Sequence, residues 1–377
     1  MNILLDAIPL KGLLTGISRY LRNLYTALER LPGIHVTYTD SKSWTPWMPS
    51  QAVPGQWMNA TSRIWKLPDP IAFGFRVATW SAYEMRIRRR IRRHHYDIYH
   101  ETAFVPAAIN RIPQVLTLHD LSLMKCKEMH PKERVWFMDL FFKRRLKYTA
   151  HIITVSEFIR REVCDELHVA PDLVTAIHEA PDPIFSPREK KVVQRVVEAL
   201  GLPQEYILFV GTLEPRKNLS LLMKAAAVCE HPLPIVLVGW KGWDTERLLA
   251  ALDHPALRHR VFTTGYVDEE SLACLYANAL ALVFPSLYEG FGLPVLEAMA
   301  CGCPVICSNA ASLPEVAGNA ARLIDPHDVE ELTAAIDSVA EDSGLRNDLI
   351  KKGFQRSAHF SWEKTATETL AVFKSVA

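Results

Sequence analysis

The sequence predicts an α/β protein built from two doubly wound parallel sheets, and three observations carry that prediction. Short apolar runs recur with helix-length amphipathic stretches between them. The alternation runs once, stops in a proline-rich segment at Ala180–Pro187, and starts again. At 377 residues the chain is also too long for one ordinary hydrophobic core. Strand–helix alternation means a parallel sheet covered by helices on both faces, which is why its strands read as continuous apolar runs.

Taken in order, Ile3–Leu5 reads as the first strand and Thr15–Leu31 as an amphipathic helix. His35–Thr39, Tyr96–His100, Gln114–Leu118 and Ile152–Val155 follow as strands. Helices fill Glu133–Tyr148 and Glu157–Leu167, and Val174–Ile177 closes the first half. In the second half, Tyr206–Val210, Ile235–Val238, Val261–Thr264, Ala281–Phe284, Val305–Cys307 and Arg322–Ile324 read as six buried strands separated by helical segments. The boundaries that result are 1–187 for a first domain and 188–359 for a second. Residues 360–377 form a closing amphipathic helix with Ser361 as its cap.

The bulk numbers exclude several classes. A net charge of +1 with 49% hydrophobic and 23% charged residues describes an ordinary globular chain and gives no global attraction to polyanions. No apolar run approaches the roughly 18–20 residues of a membrane span. Met1–Asp6 lacks the basic start and long apolar stretch of a secretory signal, so a cytoplasmic protein is expected. Seven scattered cysteines do not make a disulfide framework. The cluster Cys301, Cys303 and Cys307 has no nearby histidine and reads as small buried residues, not a metal site.

Ligands of such sheets bind beyond the carboxyl ends of the strands, and four motifs fall there. Thr15–Tyr20 follows the first strand and opens a helix, with Gly16 leaving room for a ligand beside free N–H groups. On its own, a glycine before a helix is more often an ordinary turn. His119 and Asp120 end an apolar strand, where they either contact a reacting sugar or form a structural histidine–carboxylate pair. Gly211–Asn218 places Arg216 and Lys217 together in a strand–helix loop, a suitable clamp for a diphosphate. The most informative motif is Phe284–Ala300. Gly290 and Gly292 permit close backbone approach, Pro294 suits a first helical turn, and the bare N–H groups there can face phosphate or sugar oxygens. Glu289 precedes this helix and Glu297 lies about one turn inside it, so they serve different ends of one ligand.

With these motifs the chain resembles the retaining GT-B glycosyltransferases of family 4, over nearly its whole length and most strongly over Tyr206–Pro326. Ile153–Phe158, Gly265–Val267 and Ser312–Gly318 add to the likeness. The resemblance implies two Rossmann-like domains facing across a cleft. Glu289 would touch the donor sugar hydroxyls and Glu297 the ribose. Arg216 and Lys217 would steady the diphosphate, with N–H groups of Gly290, Phe291, Gly292 and Leu293 on sugar and phosphate oxygens. Gly16 would approach the diphosphate, and His119 the donor sugar. Tyr266 and Val267 would border the base. A nucleotide sugar is the substrate, and neither a cofactor nor a metal is required. The departing phosphate can serve as the base, and a positioning role for Glu289 is favoured over a nucleophilic one. Thr212 stands where many relatives have arginine, which shifts weight to Arg216 and Lys217. Ser308–Ser312 resembles relatives that build mannose- or rhamnose-containing bacterial polysaccharides. His178–Asp182 departs from the usual asparagine–glycine turn.

The expected reaction is transfer of mannose or D-rhamnose from a GDP-sugar to a lipid-linked glycan acceptor. UDP- or dTDP-linked donors, an epimerase or phosphorylase of the same fold, and an inactive scaffold are the rival readings. Arg86, Arg88, Arg89, Arg90, Arg92 and Arg93 crowd one short stretch in which Trp80, Tyr83, Ile87 and Ile91 share a helical face. Two readings fit: an amphipathic helix lying on the anionic inner face of the cytoplasmic membrane, or a stripe packed inward with the arginines in solvent. Lys143, Arg144, Arg145 and Lys147 would extend the basic patch. By the same resemblance, Trp44, Trp47, Trp57 and Trp65 would belong to a variable acceptor-side loop. No nucleic-acid reading motif accompanies the arginines.

Overall fold

The structure is a computed structural model that describes residues 1–11, 15–40, 43–50, 67–102, 105–243 and 254–377. Trp57 and Trp65 lie outside them. The described residues divide into two compact units, one of Met1–Glu179 with Trp362–Ala377, the other of Ala180–Ser361.

The first unit carries a seven-stranded sheet in the order β3-β2-β1-β4-β5-β6-β7. Its strands are β1 (Asn2–Asp6), β2 (His35–Thr39), β3 (Trp44–Thr45), β4 (Ile98–Glu101), β5 (Gln114–Leu118), β6 (His151–Thr154) and β7 (Val174–Ala176). All neighbours are parallel except β2 and β3, where Thr39 faces Trp44 in an antiparallel pair. The helix Gly16–Leu28 is closed by a reciprocal cap between Thr15 and Ser18 and buries Tyr20, Leu21, Leu24 and Tyr25 at helical spacing. The closing helix Trp362–Val376 buries Trp362, Thr365, Ala366, Thr369 and Phe373 and packs on Gly16–Leu28.

The second unit holds a six-stranded, wholly parallel sheet in the order β10-β9-β8-β11-β12-β13. The strands are β8 (Ile207–Val210), β9 (Ile235–Val238), β10 (Val261–Gly265), β11 (Ala281–Phe284), β12 (Val305–Ser308) and β13 (Arg322–Ile324). The four central strands are fully buried, whereas β10 and β13 lie at the edges and are only partly buried, which corrects the expectation of six buried strands. One core face joins Phe209, Leu237 and Val283 to Leu222, Ala225, Leu332 and Ile336 from the helices above. Each of these side chains except Ala225 contributes about 1.5–3 kcal/mol through burial.

The structure also settles the domain boundary and the setting of the arginine-rich stretch. The division falls at Ala180 instead of residue 188, because Phe185 packs edge-on against Tyr276 at 5.8 Å and Arg188 pairs with Glu270 at 3.0 Å, both within the second unit. The arginine-rich stretch is the end of a 25-residue helix, Asp69–Arg93, entered through Pro68 and Pro70. Its stripe of Tyr83, Ile87 and Ile91 packs inward with Leu4 and Tyr99, so this face cannot also meet lipid.

Candidate active site

In the second unit the strand order reverses between β8 and β11, which are hydrogen-bonded neighbours. The loops leaving these two strands therefore emerge side by side, and they hold Arg216 and Lys217 on one and the Glu289 segment on the other. The backbones are tied together: Leu287 N donates to Arg216 O at 2.9 Å. Asn218, in the left-handed region at φ 56°, donates its side-chain amide to Pro285 O at 3.1 Å and Pro326 O at 2.7 Å. Gly239 approaches so closely that a Cβ there would lie 2.0 Å from Gly211 O.

At the centre Lys217 Nζ donates to Glu289 Oε1 at 2.6 Å and Arg216 Nη1 to Glu289 Oε2 at 3.1 Å. Arg216 Nη2 also donates to Glu214 Oε1 at 2.7 Å. Glu289 is buried, and burial pushes its carboxyl up. Lys217 and then Arg216 pull it down by more, so it comes to rest at about 2. The result is a largely buried cluster in which two basic side chains meet two carboxyl groups.

Ser312 Oγ donates to Glu289 O and Phe291 O, both at 2.9 Å, and so fixes the path of the loop. Gly292 caps the helix Leu293–Ala300 at φ 108°, so no side chain closes that helix start. Glu297, within the helix, is buried and accepts a hydrogen bond from Tyr276 Oη at 3.1 Å. Tyr266 stacks on Trp240 at 5.4 Å, the two rings standing beyond β10 and β9, with Val267 beside them.

The structure thus brings Arg216, Lys217 and Glu289 into contact and sets Glu297 apart on the helix. Glu214, Tyr276, Ser312 and Trp240 have contact roles that local sequence did not disclose; for Ser312 the family-like segment Ser312–Gly318 was the available signal.

In the first unit the strand order reverses between β1 and β4. A Cβ built on Gly16 meets nothing within 4 Å, so packing alone does not demand glycine there. His119, at the end of β5, has its Nδ1 3.3 Å from Glu179 Oε1. Its expected partner Asp120 is engaged elsewhere, accepting from Ser122 N at 2.8 Å to start a short helical turn. The carboxylate of the pair therefore comes from the loop after β7. Asp6 and Glu101 end β1 and β4, both buried, with Tyr83 Oη donating to Asp6 at 2.7 Å and Tyr99 Oη to Glu101 at 2.9 Å. Burial raises the Asp6 carboxyl.

The cysteines Cys301, Cys303 and Cys307 are buried, and burial pushes the thiols of Cys301 and Cys307 up to about 12. Among the described residues no group of histidine, cysteine and carboxylate side chains has the arrangement of a metal site. No described helix is long and apolar enough to cross a membrane.

Comparison with known proteins adds to this geometry. Residues 192–356 match the family described as glycosyl transferases group 1, and residues 14–183 match glycosyltransferase family 4. The O-antigen chain mannosyltransferase B of Escherichia coli is 34% identical over 283 residues, covering 74% of each chain. The serotype-specific mannosyltransferase WbdA of Escherichia coli is 32% identical over 72% of this chain, which spans only 34% of that longer protein. Among solved structures, sucrose-phosphate synthase from Thermosynechococcus elongatus superposes with a TM-score of 0.76 at 22% identity, over 100% of this chain and 98% of that one.

Proposed function

The chain belongs to the family 4, group 1 glycosyltransferases, and from that premise we propose that it transfers mannose or D-rhamnose from a GDP-sugar to a lipid-linked glycan acceptor with retention at the sugar carbon. Its two parallel-sheet α/β domains are those of the GT-B fold, and its general activity is glycosyl transfer. The observation that carries the finer reading is the Lys217–Glu289–Arg216 cluster at the strand-order reversal.

Breaking a sugar–diphosphate bond develops negative charge on the leaving phosphate. Cations already fixed and dehydrated stabilise that charge without reorganising during the reaction. Lys217 and Arg216 are fixed by Glu289 and mostly withdrawn from solvent, and their charges are what a bound metal would otherwise supply. Glu289 holds them in place and presents an ionised carboxylate for the sugar hydroxyls. In this reading Glu297, which accepts from Tyr276, takes the ribose, and the stacked rings of Trp240 and Tyr266 border the base. The mannose assignment draws on the mannosyltransferase relatives. The test is thermal stabilisation by GDP, UDP, dTDP and ADP at equal concentration. GDP is expected to stabilise selectively, by about 2.7 kcal/mol at a hundred times its Kd. Selectivity for another nucleotide would replace the donor, and no response to any would favour an inactive scaffold.

The acceptor reading places the protein at an anionic membrane surface through the helix Asp69–Arg93. Arg88, Arg89, Arg92 and Arg93 are exposed along it, with Ile71 and Phe75 exposed one turn apart near its start. Changing these four arginines to glutamine is expected to weaken binding to phosphatidylglycerol vesicles while GDP stabilisation stays unchanged. Undiminished vesicle binding would remove the helix from that role.

A further inference from the structure

We propose that Glu179 is a positioning residue that holds His119 Nδ1, so that Nε2 is presented bare to a hydroxyl of the sugar substrate. The inference rests on the transferase reading and names a component of the same reaction.

Three observations converge on it. Glu179 Oε1 lies 3.3 Å from Nδ1, and the carboxylate is buried. His119 Nε2 is shielded from solvent and has no hydrogen-bond partner among the described residues. A polar atom in that state needs a partner that the described residues do not supply. The ring is held on a second side by Tyr20, whose ring meets it edge-on at 4.9 Å and 88°.

The loop that bears Glu179 is itself anchored. Thr365 Oγ1, on the closing helix, donates to His178 O at 2.7 Å. The neighbouring imidazole of His100 is committed elsewhere, with Nδ1 against Tyr25 Oη and Nε2 against Thr117 Oγ1, both at 2.7 Å. His119 is thus the imidazole that Glu179 meets. A carboxylate at Nδ1 favours the tautomer with its proton there, leaving Nε2 as an acceptor.

The ring is read directly in ¹⁵N-labelled full-length protein at pH 8. Wild-type His119 is expected to carry its proton on Nδ1, and Glu179→Leu to move it toward Nε2. Glu179→Gln keeps size and a hydrogen-bonding oxygen but loses the charge. It should slow GDP release from GDP-mannose by about ten- to a hundredfold, mainly in kcat, with partial recovery in Glu179→Asp. Glu179→Gln combined with His119→Ala should be no slower than His119→Ala alone, because the two act through one group. Additive losses, or a wild-type proton on Nε2, overturn the proposal. If the wild-type protein turns over no sugar nucleotide, the transferase reading fails, while the tautomer still decides the pairing: a proton that leaves Nδ1 in Glu179→Leu supports it, and one that stays overturns it.

Discussion

At Glu289 burial and two neighbouring cations act in opposite directions, and the cations prevail, leaving the carboxyl near 2 against an ordinary value of 4.5. A carboxyl lowered by folding adds stability that is fully present above its unfolded value and is lost as pH falls from about 4.5 to about 2. Glu289→Gln has no such titration. The urea midpoint of the wild type should therefore fall more steeply than the variant's across that window, and the gap between them should close. Parallel curves would mean that the pairing is not felt in folding. The same variant should lower transfer by about a hundredfold or more. Glu289, Arg216 and Lys217 were legible in the sequence because each belongs to a contiguous loop beyond an apolar strand. Glu179 was not readable as the partner of His119, since the two are brought together by β5 and β7 from distant stretches of chain. Asp120, adjacent in sequence, is the carboxylate that local sequence offers. Its short side chain caps its own turn instead.

Elements differed in legibility for a similar reason. Central parallel strands are buried on both faces, so β9 and β11 stood out as unbroken apolar runs, and β5 as a run broken only by Gln114 and Thr117, with the bounds they have in the fold. Strand β3 has two residues, too few for a pattern. The helix Asp69–Arg93 was visible only at its arginine-rich end, and its periodicity could not say which side faced inward. That depends on Leu4 and Tyr99 from neighbouring strands. The helix start at Gly292 is a place where local conformation decides. Its φ of 108° disfavours any side chain, and a Cβ would come 2.6 Å from Leu313 Cδ2. Gly292→Ala should cost about 1–3 kcal/mol, measurable by urea unfolding. An unchanged midpoint would show that the loop relaxes freely.

On the scale of the whole molecule, the duplication of the strand–helix rhythm made the two-sheet fold legible, but not the point of division. That was decided by Phe185 and Arg188, whose partners lie in the second unit. The first unit is completed only by the last helix, where Trp362 meets Tyr20 at 6.0 Å and Phe373 meets His100 at 5.1 Å. Removing Trp362–Ala377 should therefore strip hydrogen-exchange protection from β1, β4 and β5 while β8, β9 and β11 stay protected. Equal loss in both sheets would contradict that division.

The chain leaves the first unit after Glu179 and re-enters it at Trp362. A single protease nick between Ala180 and Ser186 would leave residues 1–179 and the closing helix on separate polypeptides. Nothing covalent would then join them, yet Trp362, Thr365, Thr369 and Phe373 would remain inserted where they are now. The severed halves should migrate as one species under native conditions and part only in denaturant, so that two separately expressed fragments could complement each other.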